Sequence, residues 1–387
     1  MKKRRIVIAS VLKPVDDTRM FEKMGVTLSD SGKYEIFIVG YPSKRVPSYL
    51  DVHFLPLKAF SRISLGRLVA PLRIQKILHQ VQPDILVVNT HELLIVAILN
   101  RILFGVKVVY DVRENYYRNI LYSEAFPLFL RPLVAGWVRL KEKLTSGLIH
   151  LFFLSETGYK KEMDFFGRHP IIIENKVRGP VDFTRTPEPG KTRLLFSGTL
   201  AESTGVFLAI NLAKQLHILD NSIHLTIIGF CAKAATLRRV RAEMMGTDFI
   251  TLVGGEQLVP HAEIIQAIAA ADFGLVCYPP SRHTQNATPT KLYEYLACRL
   301  PIILQYHPAW EELCSPYQAC IPLDFASVDA AGLLMKMRSR FYIHPPREVS
   351  WESEAEKLLS AIEGLTPNPS PPEERGRPAR RSLGVGG

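Results

Sequence analysis

The feature that most constrains this chain is a repeated alternation of short, continuously apolar runs with segments of helical periodicity. In the first half these runs are IVIASVL (6–12), YEIFIVG (34–40), ILVVNT (85–90), KVVYDV (107–112), LIHLFFL (148–154) and PIIIEN (170–175). Apolar runs without alternation are typical of strands that are buried on both faces of a parallel sheet. Repeated strand–helix–strand units imply right-handed crossovers, so residues 1–180 are predicted to form a doubly wound α/β domain.

The alternation stops once and then begins again. The segment NKVRGPVDFTRTPEPGKT (175–192) is rich in Pro and Gly and has no sustained period, which indicates a linker. Further strands are predicted at RLLFSG (193–198), IHLTIIG (223–229), FITLVG (249–254), FGLVCY (273–278) and LPIILQ (300–305). Residues 181–349 are therefore predicted to form a second α/β domain. Ligands of such sheets bind at the carboxyl ends of the strands, so we expect the site in the cleft between the domains.

Both ends of the chain need a separate interpretation. The sequence WESEAEKLLSAIEGL predicts a last helix, and we expect residues 350–365 to pack back on the first domain, whereas 366–387 has the composition of a disordered tail. At the start, KKRR followed by IVIASVL imitates a secretory signal, but KPVDDTR stands where a small-residue cleavage site belongs, so this run is interpreted as a strand. No apolar run reaches the ~18–20 residues of a membrane-spanning helix.

The positive charge of the chain belongs to its first half. The formal net charge is +11, and residues 1–180 contain 28 Lys and Arg against 16 Asp and Glu. Arg73 and Lys76 are predicted to share one helical face, with Arg62 just upstream. A solvated surface and an anionic membrane surface both explain such an excess. Nucleic acid is a weaker alternative, because neither a reader motif nor interleaved aromatic residues accompany the charge.

Cysteine usage indicates the redox compartment. The five cysteines show neither CxxC pairing nor the spacing of a zinc site. Reduced thiols in a cytoplasmic protein are the simplest interpretation.

A first anion site is predicted where RLLFSG continues into TLAESTG and a helix. Ser203 or Thr204 is expected to cap that helix, while Gly198 and Gly205 allow close approach of the backbone. The free N–H groups of a helix N-terminus suit a diphosphate. An ordinary capped helix is the competing interpretation, since many strand-to-helix turns have this pattern.

A second site is predicted in NATPTKLYEYLACRLPIIL (286–304). Thr288 is expected to cap a helix with Pro289 in its first turn, which directs the N-terminus towards the cleft. Lys291 would neutralise phosphate, and Glu294 would accept hydrogen bonds from both hydroxyls of a ribose. A surface ion pair between these two residues is the alternative.

Polar residues also follow the strands of the first half. His91 and Glu92 come directly after ILVVNT, Arg113 and Glu114 end another strand, and the first strand is followed by Asp16, Asp17 and Arg19. These positions face the cleft if the sheet is parallel. A lone histidine is often structural, but its place at the end of a strand favours a functional role.

Together these segments resemble glycosyltransferase family 4, whose members are retaining enzymes. The donor half of the family is matched by FSGTLAESTG, LTIIGF, ITLVGG and PTKLYEYLACRLPII, and a bacterial branch of its acceptor half by VDDTRMFEK, NTHELL and VVYDVREN. The resemblance implies the GT-B fold, in which two Rossmann-like domains face each other across a cleft.

The resemblance also implies roles for individual residues. It makes Glu294 the ribose ligand and places Asn286 where the family has a glutamate, Thr199 and Thr204 near its usual Arg and Lys, and Arg299 where a glycine ends the helix. The implied catalytic residues are His91, Lys291 and Asn286. The implied donor-binding residues are Gly198, Thr199, Ser203, Thr204, Gly229, Gly254, Thr290 and Glu294. The acceptor side is expected to comprise Asp16, Asp17, Arg19 and Glu92.

The expected function is transfer of a sugar from a nucleotide-sugar to a saccharide or lipid-linked acceptor, in the synthesis of a cell-envelope polysaccharide. We expect a cytoplasmic protein that is peripheral on the inner face of the plasma membrane and has no nucleic-acid partner. The chain has no D-x-D triplet, which favours catalysis without a metal or other cofactor, the leaving diphosphate being stabilised by N–H groups and cations. A non-catalytic binding protein with the GT-B fold and a nucleotide-sugar epimerase remain alternatives. A dehydrogenase is disfavoured because no strand is followed by GxGxxG.

Overall fold

The chain forms two Rossmann-like domains in a computed structural model that describes residues 3–43, 48–58, 65–122, 126–166, 170–178, 188, 190–281 and 287–365. The strands of the first domain are β1 (Arg4–Pro14), β2 (Tyr34–Tyr41), β3 (Val52–Pro56), β4 (Ile85–Val88), β5 (Lys107–Val112), β6 (Leu151–Leu154) and β7 (Ile171–Ile172). Its helices are α1 (Val26–Asp30), α2 (Leu65–Val81), α3 (Leu94–Phe104), α4 (Tyr116–Tyr122), α5 (Arg131–Ser146) and α6 (Tyr159–Glu162). A π-helical turn (Arg19–Gly25) precedes α1, and a 3-10 turn (His91–Leu93) precedes α3.

The second domain repeats this plan. Its strands are β8 (Thr192–Thr199), β9 (Ile223–Phe230), β10 (Ile250–Gly255), β11 (Phe273–Val276), β12 (Ile302–Gln305) and β13 (Cys320–Leu323). Its helices are α7 (Val206–Leu219), α8 (Ala234–Glu243), α9 (His261–Ala270), α10 (Thr290–Ala297), α11 (Pro308–Cys314) and α12 (Ala330–Met337). Two 3-10 turns (Glu202–Thr204 and Ser315–Tyr317) precede α7 and follow α11, and α13 (Glu352–Gly364) ends the described chain.

The strand order fixes where each sheet can bind a ligand. The first sheet has the order β3-β2-β1-β4-β5-β6-β7 and the second β10-β9-β8-β11-β12-β13, and their paired strands run parallel. In both sheets the order reverses beside the first strand of the domain, between β1 and β4 and between β8 and β11. Such a reversal opens a crevice outside the carboxyl ends of the strands, which is where open α/β sheets bind ligands.

The alternation of apolar runs predicted the central strands correctly, including the interpretation of IVIASVL as a strand. The predicted strands at 85–90, 148–154 and 273–278 are each shorter in the structure, because their ends turn into the loops at the sheet edges. Two edge strands, β3 and β13, were missed. Each is short and contains a proline, which removes a backbone donor and is tolerated mainly at an edge.

The last helix, α13, packs on the first domain rather than on the second. Trp351, Leu358 and Ile362 are buried in one apolar cluster with Ile6, Ile8 and other residues of the first sheet. The indole N–H of Trp351 donates to the Thr27 hydroxyl at 2.8 Å. The chain therefore returns to its first domain after completing the second.

The outgoing and returning segments lie side by side. Val177 and Ser350 form a parallel backbone bridge, and the Trp351 N–H donates to the Val177 carbonyl at 2.6 Å. The Lys176 ammonium donates to the buried Glu354 carboxylate at 2.7 Å, so an ion pair joins the two crossings. The boundary predicted at residue 180 and the tail at 366–387 fall outside the described ranges.

The backbone is strained just after the C-terminal end of α10. Arg299 adopts φ +49°, in the left-handed region, at the position where a helix commonly ends on glycine. Its side chain is exposed, so this conformation is imposed by the backbone and not by a side-chain contact.

We therefore expect Arg299→Gly to stabilise the protein by about 0.5–1 kcal/mol, since glycine adopts this conformation without steric cost. Arg299→Ala is the matched control, because alanine keeps the left-handed strain while removing the same side chain. Urea unfolding followed by circular dichroism measures both. Equal stability of the two variants would contradict the assignment of strain to φ.

Candidate active site

A buried ammonium lies at the switch point of the second sheet. Lys291 extends from the first turn of α10, is buried, and finds no hydrogen-bond partner for its Nζ among the described residues. The Nζ lies 4.5 Å from the ring centre of Phe196 and 5.2 Å from that of Tyr278. Burial lowers the pKa of Lys291 to about 8. Ring faces attract a cation but do not replace its hydrogen bonds, so this group is prepared for an anion.

Glycines make the rim of the sheet below this ammonium. In the register of β8, β9 and β10, Gly198 pairs with Gly229 and Gly229 with Gly254. A Cβ atom on Gly229 would lie 1.7 Å from the Gly198 carbonyl oxygen, so this strand spacing requires glycine. A Cβ on Gly198 would lie 3.8 Å from the Lys291 Nζ. The predicted glycines thus share one edge, and Gly198 borders the ammonium.

The polar residues after β8 act differently from the prediction. Thr204 does not cap α7: its hydroxyl accepts from the Ala201 N–H at 3.1 Å and donates to the Thr199 carbonyl at 2.7 Å, which closes the preceding 3-10 turn. Ser203 is exposed and does not cap α7 either; the helix begins after Gly205, with no side-chain cap. Among the described residues, no side chain caps the first turn of α7, so its free N–H groups remain available to an anion.

The start of α10 also differs from the prediction. The helix begins at Thr290 with Pro289 as its N-cap residue, so the proline is not within the first turn. Thr288 does not cap α10; its N–H donates to the Glu156 carboxylate of the first domain at 3.2 Å. Pro289 is extended, with φ −58° and ψ 129°, and Thr290 borders two cavities, one with Glu294 and one with Glu156. Asn286 lies outside the described residues.

Glu294 borders a cavity of about 180 Å³ between the two domains. Its carboxylate oxygen Oε1 lies 3.1 Å from the Nε2 of His261, at the start of α9, and this hydrogen bond raises the pKa of His261. Lys23 of the first domain also lines this cavity, and its ammonium donates to the Asn175 side chain at 2.6 Å. Burial lowers the pKa of Lys23 to about 7. The sequence analysis did not identify His261 or Lys23. His261 could have been found, because it begins a helix that follows a strand, as other predicted site residues do.

His91 is a neutral hydrogen-bond donor at the carboxyl end of β4. The Lys141 ammonium of α5 donates to its Nδ1 at 2.9 Å, so the proton of the ring lies on Nε2. Burial, with the neighbouring ammonium of Lys141, lowers the pKa of His91 to about 4, although Glu92 opposes this. Glu92 itself is paired with the Arg67 guanidinium, at 2.8 Å to Nε, and these contacts hold its pKa low.

Unsatisfied polar atoms surround His91. Within the described part of the chain, the amide of Asn89, the Thr90 hydroxyl and the Oε2 of Glu92 are buried and have no hydrogen-bond partner. Buried polar atoms are nearly always paired in folded proteins. Their concentration at the switch point of the first sheet indicates that a polar ligand completes this site.

The loop after β1 is organised by ion pairs. Arg19 is fully buried and binds Asp111, with Nε 2.9 Å from Oδ2, and its Nη1 donates to the Ile173 carbonyl at 2.8 Å. Asp17 accepts from Arg113 at 2.7 Å and from the backbone N–H of Met20 at 3.0 Å. Asp16 accepts from the Ser43 hydroxyl. Arg19 therefore positions this loop from within the domain, whereas Asp16 and Asp17 are partly exposed.

A carboxyl group that the sequence did not single out bridges the cleft. Glu156 follows β6, and burial raises its pKa to about 7. It borders a cavity of about 90 Å³ with Arg113, Glu114 and Thr290. The sequence signal was present, because Glu156 ends a strand as His91 does. Among the described residues no group of three or more His, Cys, Asp or Glu side chains is placed to hold a metal ion.

Solved structures share this fold at low sequence identity. A sucrose-phosphate synthase from Thermosynechococcus elongatus has a TM-score of 0.73 and 13% identity, with 94% of this chain and 99% of that one covered. WaaG, a glycosyltransferase involved in lipopolysaccharide biosynthesis, has a TM-score of 0.64 and 13% identity, covering 93% and 99%. A putative UDP-N-acetylglucosamine 2-epimerase from Listeria monocytogenes has a TM-score of 0.58 and 11% identity, covering 94% and 96%.

No protein-family model matches the chain, and no curated protein matches it in sequence. The structural likeness confirms the expected GT-B fold of two Rossmann-like domains facing across a cleft. Folds at such low identity host different reactions, as the transferases and the epimerase above illustrate. The reaction must therefore be inferred from the residues in the cleft.

The unpartnered ammonium predicts a stability effect. We expect Lys291→Met to raise the stability of the ligand-free protein by about 1–3 kcal/mol at pH 7, because it removes a desolvated charge. The folded pKa of about 8 lies below the ordinary lysine value of 10.5, so the unfolded chain binds more protons between these two pH values and wild-type stability rises with pH there. The advantage of the variant should shrink between pH 8 and pH 10.

Calorimetry at pH 7 and at pH 9.5 measures this difference, with Lys336→Met on the exposed face of α12 as the control. Loss of stability in Lys291→Met at pH 7 would show that the ammonium is already satisfied within the protein.

Proposed function

We propose that the protein is a glycosyltransferase that transfers a sugar from a nucleotide-sugar whose nucleoside diphosphate binds the second domain. The single observation that carries this proposal is the buried Lys291 ammonium, which borders the glycine rim and has no hydrogen-bond partner among the described residues. The positive charge of this ammonium, close to the N-termini of two helices, complements a diphosphate better than it complements a neutral ligand. The neighbouring nucleotide-sugar epimerase and transferases of the same fold are consistent with this donor class.

The ribose is proposed to bind Glu294. Its carboxylate has oxygens that only accept hydrogen bonds, and it lies in the cavity between the domains. His261 holds one of these oxygens at 3.1 Å, which orients the carboxylate and leaves the other to the ribose hydroxyls. The base is assigned to the ends of β9 and β10, beside Gly229 and Gly254; Phe230 and Glu256, at these ends, line a cavity of about 410 Å³.

The transferred sugar is proposed to lie towards His91. The ring carries its proton on Nε2, 3.6 Å from the Oε1 of Glu92, and Asn89 and Thr90 supply polar atoms that have no partner among the described residues. A sugar is rich in hydroxyls that pair with such groups. His91, Lys291 and Asn286 are the residues we assign to the reaction, with Asp16, Asp17 and Glu92 on the acceptor side.

The proposed reaction breaks the bond between the anomeric carbon and the diphosphate oxygen and forms one to the acceptor oxygen. The acceptor proton passes to the departing phosphate. Lys291 and the helix N-termini stabilise the developing charge, so no metal or other cofactor is required. We also propose, from the motifs PTKLYEY and VDDTRMFEK, that the protein is a member of family 4 and that the transferred sugar retains its anomeric configuration.

Two alternatives use the same fold. An epimerase would act on the sugar without an acceptor. The solved structure of a putative epimerase with this fold supports this alternative. A non-catalytic binding protein is favoured by Thr199, Thr204 and Asn286, which replace charged residues of the family. The proposed acceptor is a saccharide or a lipid-linked saccharide of the cell envelope, and five free cysteines, four of them buried, agree with a cytoplasmic location.

A panel of UDP-, GDP-, ADP- and CMP-sugars tests the reaction. We expect one of them to raise the melting temperature and to release its nucleoside diphosphate when oligosaccharide or lipid-linked acceptors are added. Conversion of the sugar without release would identify an epimerase. Thermal stabilisation without any turnover across the acceptors would favour the binding protein.

Glu294→Ala tests the donor site. We expect the dissociation constant of the stabilising nucleotide to rise about 10- to 100-fold, because the ribose loses its charged acceptor. Lys291→Met should weaken the diphosphate by a similar factor, and wild-type affinity should fall as the pH rises through about 8, where Lys291 loses its proton. Isothermal titration calorimetry measures these constants.

The matched control is Glu263→Ala, an exposed glutamate on α9 next to His261. Wild-type affinity in Glu294→Ala, or equal losses in Glu294→Ala and Glu263→Ala, would refute the assignment.

A further inference from the structure

One face of α5 exposes apolar side chains at helical spacing. Leu133, Trp137, Leu140 and Leu144 recur three to four residues apart, and all four are exposed. The opposite face is buried in the domain through Ala135, Val138, Lys141 and Glu142. The helix therefore has two faces. One packs in the core and contributes to the candidate site, and the other exposes leucine and tryptophan side chains to solvent.

The neighbouring helix α3 extends the same surface. Ile95, Leu99, Ile102 and Leu103 are exposed on it, while Leu94, Ala97 and Ile98 are buried. The two helices pack side by side, and the Arg101 side chain of α3 donates to the Leu148 carbonyl beyond the end of α5. We call these eight exposed residues the apolar outer face. Monomeric proteins rarely expose contiguous apolar areas of this kind, and such areas mark contact with a partner or a membrane.

The charge of the surrounding helices selects the occupant. Together α2, α3 and α5 contain eight Lys and Arg, and their single acidic residue, Glu142, is buried. Lys76 and Lys143 are exposed, with Lys143 2.9 Å from Asp164, whereas Lys141 is buried. An apolar face with basic residues around it is the pattern of helices that lie in the headgroup region of an anionic bilayer. A second copy of the chain would oppose the same positive charge, which disfavours self-association through this face.

We propose that the apolar outer face docks the protein on an anionic lipid bilayer, with Trp137 and the leucines in the headgroup region. Within the described residues, no helix is long and apolar enough to cross a membrane, so the contact is with one leaflet surface. Basic side chains of the three helices supply attraction to the anionic headgroups, and the apolar side chains supply the burial.

The docking surface is continuous with the candidate site. His91 lies three residues before the start of α3, and Lys141, which donates to its Nδ1, adjoins Leu140 of the apolar outer face. The first domain would thus lie on the bilayer with the polar atoms near His91 directly behind the docked helices. An acceptor carried by a lipid would reach this site without leaving the membrane. The docking itself does not depend on the proposed reaction.

Trp137 provides a direct probe. Of the three tryptophans, Trp137 is 58% exposed, whereas Trp310 and Trp351 are 2% and 1% exposed. Adding phosphatidylglycerol–phosphatidylcholine vesicles to the full chain should shift the exposed part of the fluorescence to shorter wavelength. Pure phosphatidylcholine vesicles, or 0.5 M salt, should reduce the shift, because the anionic attraction is lost or screened. Trp137→Phe should abolish the shift while vesicle co-sedimentation persists.

A matched pair of double variants tests the location. Leu133→Gln with Leu144→Gln, at 70% and 71% exposure, should lower the vesicle partition coefficient at least about tenfold. Ile218→Gln with Met335→Gln in the second domain, at 80% and 71% exposure, should leave it unchanged. All four positions are exposed, so thermal unfolding should confirm that both variants fold.

Three outcomes would overturn the proposal. They are failure of the wild-type chain to bind anionic vesicles, equal binding of the two double variants, and a wild-type dimer that the Leu133 and Leu144 substitutions dissociate. The last would assign the face to a second copy of the chain. None of these assays contains a nucleotide-sugar, so their failure is separate from failure of the proposed reaction.

Discussion

Parallel strand pairing is the constraint on which the arrangement of the molecule depends. Because every strand of a parallel sheet ends at the same edge, residues that are far apart in sequence must meet there. In the first domain this brings Asp17 to Arg113, at 2.7 Å; in the second it brings Gly198 near Lys291. The two edges face each other, as the contact between Thr288 and Glu156 demonstrates. The cleft is thus a result of the pairing, and the loops supply its chemistry.

The two edges hold their polar groups in opposite electrostatic states. On the second domain, burial leaves Lys291 charged but poorly solvated, so an incoming anion relieves an existing cost. On the first domain, burial and Lys141 keep His91 neutral, so the ring donates a hydrogen bond without adding a charge. A ligand with an anionic end and a hydroxyl-rich end satisfies both. This complementarity, more than any single residue, distinguishes the cleft from an ordinary interdomain crevice.

The sequence predicted the elements at the centre of each sheet and the loops that end them, because buried parallel strands have an unmistakable composition. It could not predict β3 and β13, whose prolines and partial exposure remove that signal. Nor could it predict that Lys141 contacts His91 or that His261 contacts Glu294, since these pairs depend on the packing of separate helices. The segment LLIVAILNRILF has helical periodicity, but its sequence could not show that Leu99 and Ile102 are exposed, because apolarity alone does not reveal which side of a helix is covered.

The paired crossings at Val177 and Ser350 have a mechanical consequence. A single connecting strand would let the domains swing and twist independently, but two strands joined by a backbone bridge and by Lys176 and Glu354 act as one ribbon. A ribbon bends readily about one axis and resists torsion. We therefore expect the domains to move by a hinge at this ribbon. Opening would widen the side of the cleft far from the hinge, while the two strand edges stay aligned.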